Sequence, residues 1–179
     1  MLFRSVCCGS PVNKVGYRTV MKGLAAKNKA LIESTMAGLV ISDCPACAEM
    51  LNTAYPEYGF SLKPKVLHSV VYFLEQLKEG KLKPSQPLNK VITFHDPCYM
   101  ARITQNSSDA REFFKQLPGV EVKEAYLHGE ESRCCGMGGG YQLSNPEFSN
   151  EIGKERLEQL RKHSPDYIVS ACQIGRAHV

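Results

Sequence analysis

The string Cys7-Cys8-Gly9 recurs as Cys134-Cys135-Gly136, and the segments after the two copies agree in order and length. A helical stretch leads to a short apolar strand, GLVIS at 38–42 or YIVS at 167–170, and then to Asp43-Cys44 or Ala171-Cys172. Thirty-five residues separate Cys8 from Cys44, 36 separate Cys135 from Cys172, and 35 separate Cys98 from Cys134. Three near-equal gaps between cysteines at strand ends or glycine-rich turns restrict the chain to two like units.

Within each unit, helical and strand patterns alternate. Residues 16–35 read as a helix, 38–42 as a buried strand, and Pro45 stands where a helix starts. The apolar spacing over 66–77 predicts a helix. The segment 79–87 carries Gly80, Pro84 and Pro87 and reads as a linker. A strand is expected at 91–94, a helix at 108–117 and a strand at 120–122. Asn145-Pro146 reads as N-cap and first turn of a helix running to Lys162, before the strand at 167–170. Strands alternating with helices at these lengths predict an α/β fold: two similar small parallel α/β halves meeting at the cysteine motifs. The expected division is 1–80, a linker at 81–89, and 90–173.

Eight cysteines in 179 residues are many for an ordinary cytosolic enzyme and few for a disulfide-dense secreted chain. Residues 1–6 hold one Arg and no long apolar run, so no signal peptide is read there. The 66–77 stretch is broken by His68, Glu75 and Gln76 and falls short of a membrane span. A cytoplasmic, reducing setting is expected, where clustered thiols serve metal or redox chemistry. The net charge of +4 is mild and its basic residues are scattered, so no nucleic-acid partner is expected.

Several chemistries compete for these thiols. Simple packing as small hydrophobes sits poorly with Cys-Cys-Gly and Cys-Pro-Ala-Cys strings rich in Gly and Pro. Structural zinc would use Cys44 and Cys47 as half a tetrahedron, in a binding module without redox activity, but the vicinal Cys7-Cys8 pair is an unusual second half. A dithiol oxidoreductase at Cys44-Pro45-Ala46-Cys47 would draw on a helix N-terminus to acidify a thiol, and it leaves six cysteines idle. Iron–sulfur ligation accounts for all eight: Cys7, Cys8, Cys44, Cys47, Cys98, Cys134, Cys135 and Cys172. Gly9 and Gly136 would then let the backbone approach a cluster and donate N–H bonds to its sulfides.

The pattern of a cysteine, about 35 residues, Cys-Cys-Gly, about 35 residues, and Cys-x-x-Cys resembles the cysteine-rich CCG domain. That domain occurs in a subunit of heterodisulfide reductase, in iron–sulfur subunits of glycolate oxidase and anaerobic glycerol-3-phosphate dehydrogenase, and in lactate-utilisation proteins. His95-Asp96-Pro97-Cys98, the Cys134-Cys135-Gly136-Met137-Gly138-Gly139-Gly140 run and Ala171-Cys172 carry one copy. Cys7-Cys8-Gly9 and Asp43-Cys44-Pro45-Ala46-Cys47 carry the other. The resemblance implies two sites, with Cys7, Cys8, Cys44 and Cys47 as four of five ligands in the first. Cys98, Cys134, Cys135 and Cys172 are four of five in the second. It implies one or two [4Fe–4S] clusters, cubane or noncubane, and an electron-transfer subunit of an oxidoreductase complex. Electrons would pass from a flavin dehydrogenase to quinone or another acceptor, or reduce a disulfide at the cluster. Implied partners are a flavoprotein dehydrogenase subunit and a ferredoxin-like iron–sulfur domain or subunit, with membrane contact, at the inner face, only through partners.

Against that pattern each copy lacks one cysteine. The first would need one about 35 residues before Cys7, and the second has Gly175 at the expected place. The tail Ile174-Gly175-Arg176-Ala177-His178-Val179 is what ATC GGA AGA GCA CAC GTC encodes, a common sequencing-adapter string, so residues 174–179 are expected to be an artefact and both sets to be broken by truncation. Among other residues, His95 is a candidate donor to a cluster sulfide or a turn-pinning residue, with Asp96 as a cap for the next helix. Arg102 and Arg133 are candidates to offset cluster charge, or simply solvated. The Gly138–Gly140 run lacks the Lys-Ser/Thr of a phosphate loop. No role is assigned to His68, His128 or His163.

Overall fold

The structure is a computed structural model that describes residues 6–174; residues 1–5 and the expected adapter residues 175–179, with Gly175, lie outside the described residues. Helices α1 (Ser10–Lys14) and α2 (Arg18–Ser34) follow the first Cys-Cys-Gly and lead into β1 (Leu39–Ser42). After Cys44, α3 (Pro45–Glu49) runs through a π-helical turn, Met50–Ala54, into α4 (Tyr55–Glu57), then β2 (Lys65–His68) and α5 (Ser69–Lys78). Residues 81–89 have no regular structure and are exposed. Next come β3 (Lys90–His95), α6 (Cys98–Arg102), α7 (Ser107–Lys115) and β4 (Val120–Val122). A loop then carries the second Cys-Cys-Gly to α8 (Tyr141–Ser144), α9 (Pro146–Arg161) and β5 (Tyr167–Ser170).

The strands form two small parallel sheets, β1-β2 and β4-β3-β5. The α/β class expected from the alternating pattern is therefore what the chain adopts. Each sheet has its own core. Met21, Ala25 and Ile32 of α2 pack on Met50, Leu51, Ala54, Tyr55 and Val66 in the first. Ile92, Phe94, Met100, Ala110 and Phe114 fill the second. The spacing 21, 25, 28, 32 is the inward stripe of an amphipathic helix, and it places Asn28 inside with 2% of its surface exposed.

One expected element is corrected. The helix read over 66–77 is divided, because Val66-Leu67-His68 pairs with Val40-Ile41-Ser42 as a parallel strand. Helix α5 begins only at Ser69, where the His68 ring caps it by accepting the Val70 N–H. A second correction concerns caps: Pro97, not Asp96, is the N-cap residue of α6, and Asn145 makes no side-chain cap bond to α9.

The topology brings strand ends to one side. Ser42 pairs with His68 at the end of the first sheet, and Ser170 with His95 at the end of the second. The cysteines Cys44, Cys98 and Cys172 follow two or three residues after a strand end. This C-terminal edge is where open parallel α/β sheets place their sites.

Candidate metal centre

The two Cys-Cys-Gly turns have one backbone design. Gly9 adopts φ +90° and Gly136 φ +84°, a left-handed conformation that glycine alone adopts without strain. In this turn the glycine N–H folds back on the first thiol: Gly9 N to Cys7 Sγ is 3.5 Å and Gly136 N to Cys134 Sγ is 3.3 Å. Both turns are also held from behind. The Asn28 side chain donates to Cys7 O at 3.0 Å and to Tyr55 Oη at 2.9 Å, and Tyr55 donates to Cys8 O at 3.1 Å. In the second half the Ser149 hydroxyl donates to Gly136 O at 2.9 Å.

The thiols interact as an array. The Cys47 thiol donates to Cys8 Sγ at 3.1 Å. This bond, against the opposing effect of burial, lowers Cys8 to about 7. Cys44 accepts from Cys172 first and Cys47 second, which holds it far below the ordinary thiol range. Cys47, shared between the Cys44 and Cys8 sulfurs, is pushed up and stays protonated. In the second pair Cys134 falls to about 5, chiefly through its bond with Cys135 and also through the nearby Arg102 charge. Cys135 is raised as the donor of that pair.

The sequence spacing assigns Cys44 and Cys172 to separate sets of four. The structure places Cys172 near enough to Cys44 to help hold that thiol low, and it sets Ala46, between Cys44 and Cys47 in sequence, in the same cavity wall as Cys172, so the sets adjoin across the halves. A cavity of about 60 Å³ is lined by Cys98, Cys134, Cys135, Cys172, His95 and Gly138, and first-half residues Ser10, Pro11, Lys14 and Ala46 close it. Among the described residues no group of three or more His, Cys, Asp and Glu side chains converges on one ion position; the sulfurs are strung out rather than gathered at a point.

His95 sits in this wall, 3% exposed. Its Nδ1 accepts the Arg156 Nε–H at 3.1 Å, leaving the neutral ring its proton on Nε2. Burial, reinforced by the Arg156 charge, pushes His95 down to about 4 from its ordinary 6.5. Between those two values the unfolded chain binds the proton that the folded chain refuses. Stability is therefore full above pH 6.5 and falls as pH drops toward 4. The loss expected between pH 8 and pH 5 is about 2 kcal/mol. Urea unfolding at both pH values checks it: His95→Asn should lose about 2 kcal/mol less over that interval than the parent, and an equal loss in both excludes His95 as the source.

Two residues missed in the sequence hold this edge together. Arg156, 2% exposed, donates to His95, to Leu127 O at 3.0 Å, to Gln159 Oε1 at 3.0 Å and to Ser132 Oγ at 3.1 Å. Its position was readable: with Ser149, Gly153 and Leu160 it lies on the buried stripe of α9. Arg111 grips buried Asp96 with both terminal nitrogens, at 2.7 and 2.9 Å, and Glu124 through Nε and NH2, at 2.8 Å each. Asp96 thus acts as an ion-pair partner, not a helix cap, and it also accepts the Gly129 N–H at 2.9 Å. Burial opposes its ionisation, but Arg111 and Gly129 outweigh that and hold the carboxyl below its ordinary range. Arg102 donates to the carbonyls of Glu130 and Ser132 at 2.9 and 3.0 Å, bracing the loop ahead of Cys134. Arg133 is exposed. Among the described residues no helix is long and apolar enough to cross a membrane.

The model of the CCG cysteine-rich domain matches residues 2–52 and 92–177. A subunit of the CoM/CoB fumarate reductase of Methanothermobacter marburgensis is 30% identical over 97% of the chain and 34% of its own length. The probable iron–sulfur-binding oxidoreductase FadF of Bacillus subtilis is 33% identical over 92% of the chain and 23% of its own. A subunit of the dihydromethanophenazine:CoB–CoM heterodisulfide reductase of Methanosarcina barkeri is 29% identical over 93% of the chain and 42% of its own. The chain thus spans less than half the length of each of these curated relatives.

Proposed function

The chain belongs to the CCG cysteine-rich domain family, whose relatives named above are iron–sulfur and reductase proteins, and from that footing we propose that it is an iron–sulfur electron-transfer subunit. The observation that carries the reading is the sulfur array itself: Cys8, Cys47, Cys44 and Cys172 in series, with Cys134, Cys135 and Cys98 beside them. An all-sulfur donor set with several acidified thiols fits a thiolate-ligated iron cluster. Strung-out sulfurs suit a group in which each iron takes its own thiolate better than a single tetrahedral zinc.

In this reading Cys7, Cys8, Cys44 and Cys47 hold one cluster of the [4Fe–4S] type, and Cys98, Cys134, Cys135 and Cys172 hold another. Bound there, such a cluster supplies storage and passage of single electrons. The chain's own residues set the conditions. Gly9 and Gly136 aim backbone N–H groups at the first thiol of each pair, Arg102 offsets negative charge at Cys134, and His95 presents a neutral Nε2–H to the cavity wall. Burial of the ring removes a proton-dependent charge from beside the sulfurs. The fitting complex has a flavoprotein dehydrogenase as donor and quinone or a disulfide as acceptor, with a ferredoxin-like iron–sulfur domain between. Its setting is the cytoplasm, at the membrane's inner face only through partners.

Anaerobic reconstitution with iron and sulfide, followed by iron and acid-labile sulfide analysis and electron paramagnetic resonance, tests the reading. A brown protein with both elements in equal amount is expected, and Cys135→Ser should lose the signal of the second site. A protein that takes up only zinc would end the proposal.

A further inference from the structure

His68 lies at the C-terminal end of β2, 4% exposed, where it pairs in register with Ser42 of β1. Its two ring nitrogens have separate duties. Nδ1 accepts the Val70 N–H at 3.2 Å and so caps α5. The proton is thereby left on Nε2, which donates to Ala171 O at 3.0 Å in the other half. Its register partner Ser42 holds the Cys44 backbone, the hydroxyl donating to Cys44 O at 3.1 Å and accepting the Cys44 N–H at 3.3 Å. Asp43 immediately precedes Cys44, and Ala171 immediately precedes Cys172. These are the two cysteines, one in each half, that lie near enough for Cys172 to help hold the Cys44 thiol low. His95 occupies the matching place in the second sheet, beside Ser170, but its ring turns to Arg156 rather than to the other half.

We propose that His68 is a positioning residue that clamps the strand-end turns bearing Cys44 and Cys172 to one another through its Nε2–H, and so sets the contact between the two cysteine sets. The backbone hydrogen bonds of Cys44 stay within the first half: its carbonyl accepts the Ala48 N–H, and its own N–H donates to Ser42 Oγ. The bond from His68 to Ala171 O instead reaches across 103 residues of sequence and ties the end of β5 to the first sheet. The clamp acts on thiols with or without iron, so it stands apart from the ligand assignment.

Two conservative variants separate the duties of the ring. His68→Asn keeps a short acceptor for the Val70 N–H but cannot reach Ala171 O. His68→Gln keeps a donor near the Nε2 position. The full 179-residue chain, reduced and freed of metal, is treated briefly with diamide, which takes two electrons and two protons from each thiol pair it closes into a disulfide. Mass spectrometry then compares the Cys44–Cys172 linked peptide with the Cys8–Cys47 linked peptide as an internal control. The parent should yield both. The ratio of cross-half to control product should fall about tenfold in His68→Asn and return to within about twofold of the parent in His68→Gln, the scale of a lost and a retained hydrogen bond. An unchanged ratio in His68→Asn overturns the proposal, and so does a fall in both variants. Failure of iron to bind would count against the proposed function and leave this ratio unaffected.

Discussion

Replacing Arg111 by Met is expected to destabilise the protein by about 3 kcal/mol, one of the larger losses from a single side chain not in the hydrophobic core. The reason is the partner left behind. Asp96 has no exposed side-chain surface, and its carboxylate is compensated by the Arg111 fork and the Gly129 N–H. With the guanidinium gone, a buried charge keeps one backbone donor. Asp96→Asn removes the charge instead and leaves Arg111 its bonds to Glu124 and Ser107 O, so it should cost less, about 2 kcal/mol. In the double variant the two losses should not add: a coupling of at least about 1.5 kcal/mol is expected from a shared buried pair. Urea unfolding of the four proteins gives the cycle. Additive losses would show that the pair carries little of the stability assigned to it. Because the Asp96 carboxyl sits below its ordinary range in the folded chain, its contribution is complete above about pH 4 and disappears as pH falls through its lowered value.

The same pair explains part of what the sequence left hidden. Local signals were readable where chain and neighbours agree: Pro45 and Pro146 start helices, Val120–Val122 and Tyr167–Ser170 are strands, and the apolar stripe of α2 faces inward. Residues 66–68 failed because the helical spacing of their apolar side chains is a local property. Pairing with β1 is a long-range one, and only the neighbouring strand decides it. Asp96 failed for a related reason. Next to a helix start, a carboxylate reads as a cap, and nothing nearby in sequence announces that Arg111 closes on it from α7. The cysteine repeat was legible as two sets because interval lengths are written in the chain. The nearness of Cys172 to Cys44 is not, since it depends on how one half docks on the other, and His68, the proposed clamp, lies on a strand whose apolar spacing reads as helical.

Gly136→Ala should cost about 3–4 kcal/mol, roughly twice the loss from Gly9→Ala, although the two glycines hold the same place in the repeat. Both lie in the left-handed region, at φ +84° and +90°, where a Cβ costs about 1–2 kcal/mol by itself. The difference lies in what the added methyl meets. At Gly9 it collides with the Met21 sulfur, the far part of a side chain that can change rotamer, even though Met21 is fully buried. At Gly136 it collides with the Ser149 carbonyl oxygen and reaches Ile152 Cβ at 3.3 Å. A helix backbone cannot rotate away, and pushing α9 outward also breaks the Ser149 hydroxyl bond to Gly136 O. Overpacking of that kind adds about 1–3 kcal/mol. The damage should reach the sulfurs as well, because the turn that directs the Gly136 N–H onto Cys134 Sγ cannot survive a displaced helix. Gly136→Ala should therefore lose its cluster on reconstitution while Gly9→Ala retains part of the iron. Thermal unfolding and iron analysis of the two variants side by side decide it, and equal losses would mean that Met21 is no more able to yield than the backbone of α9.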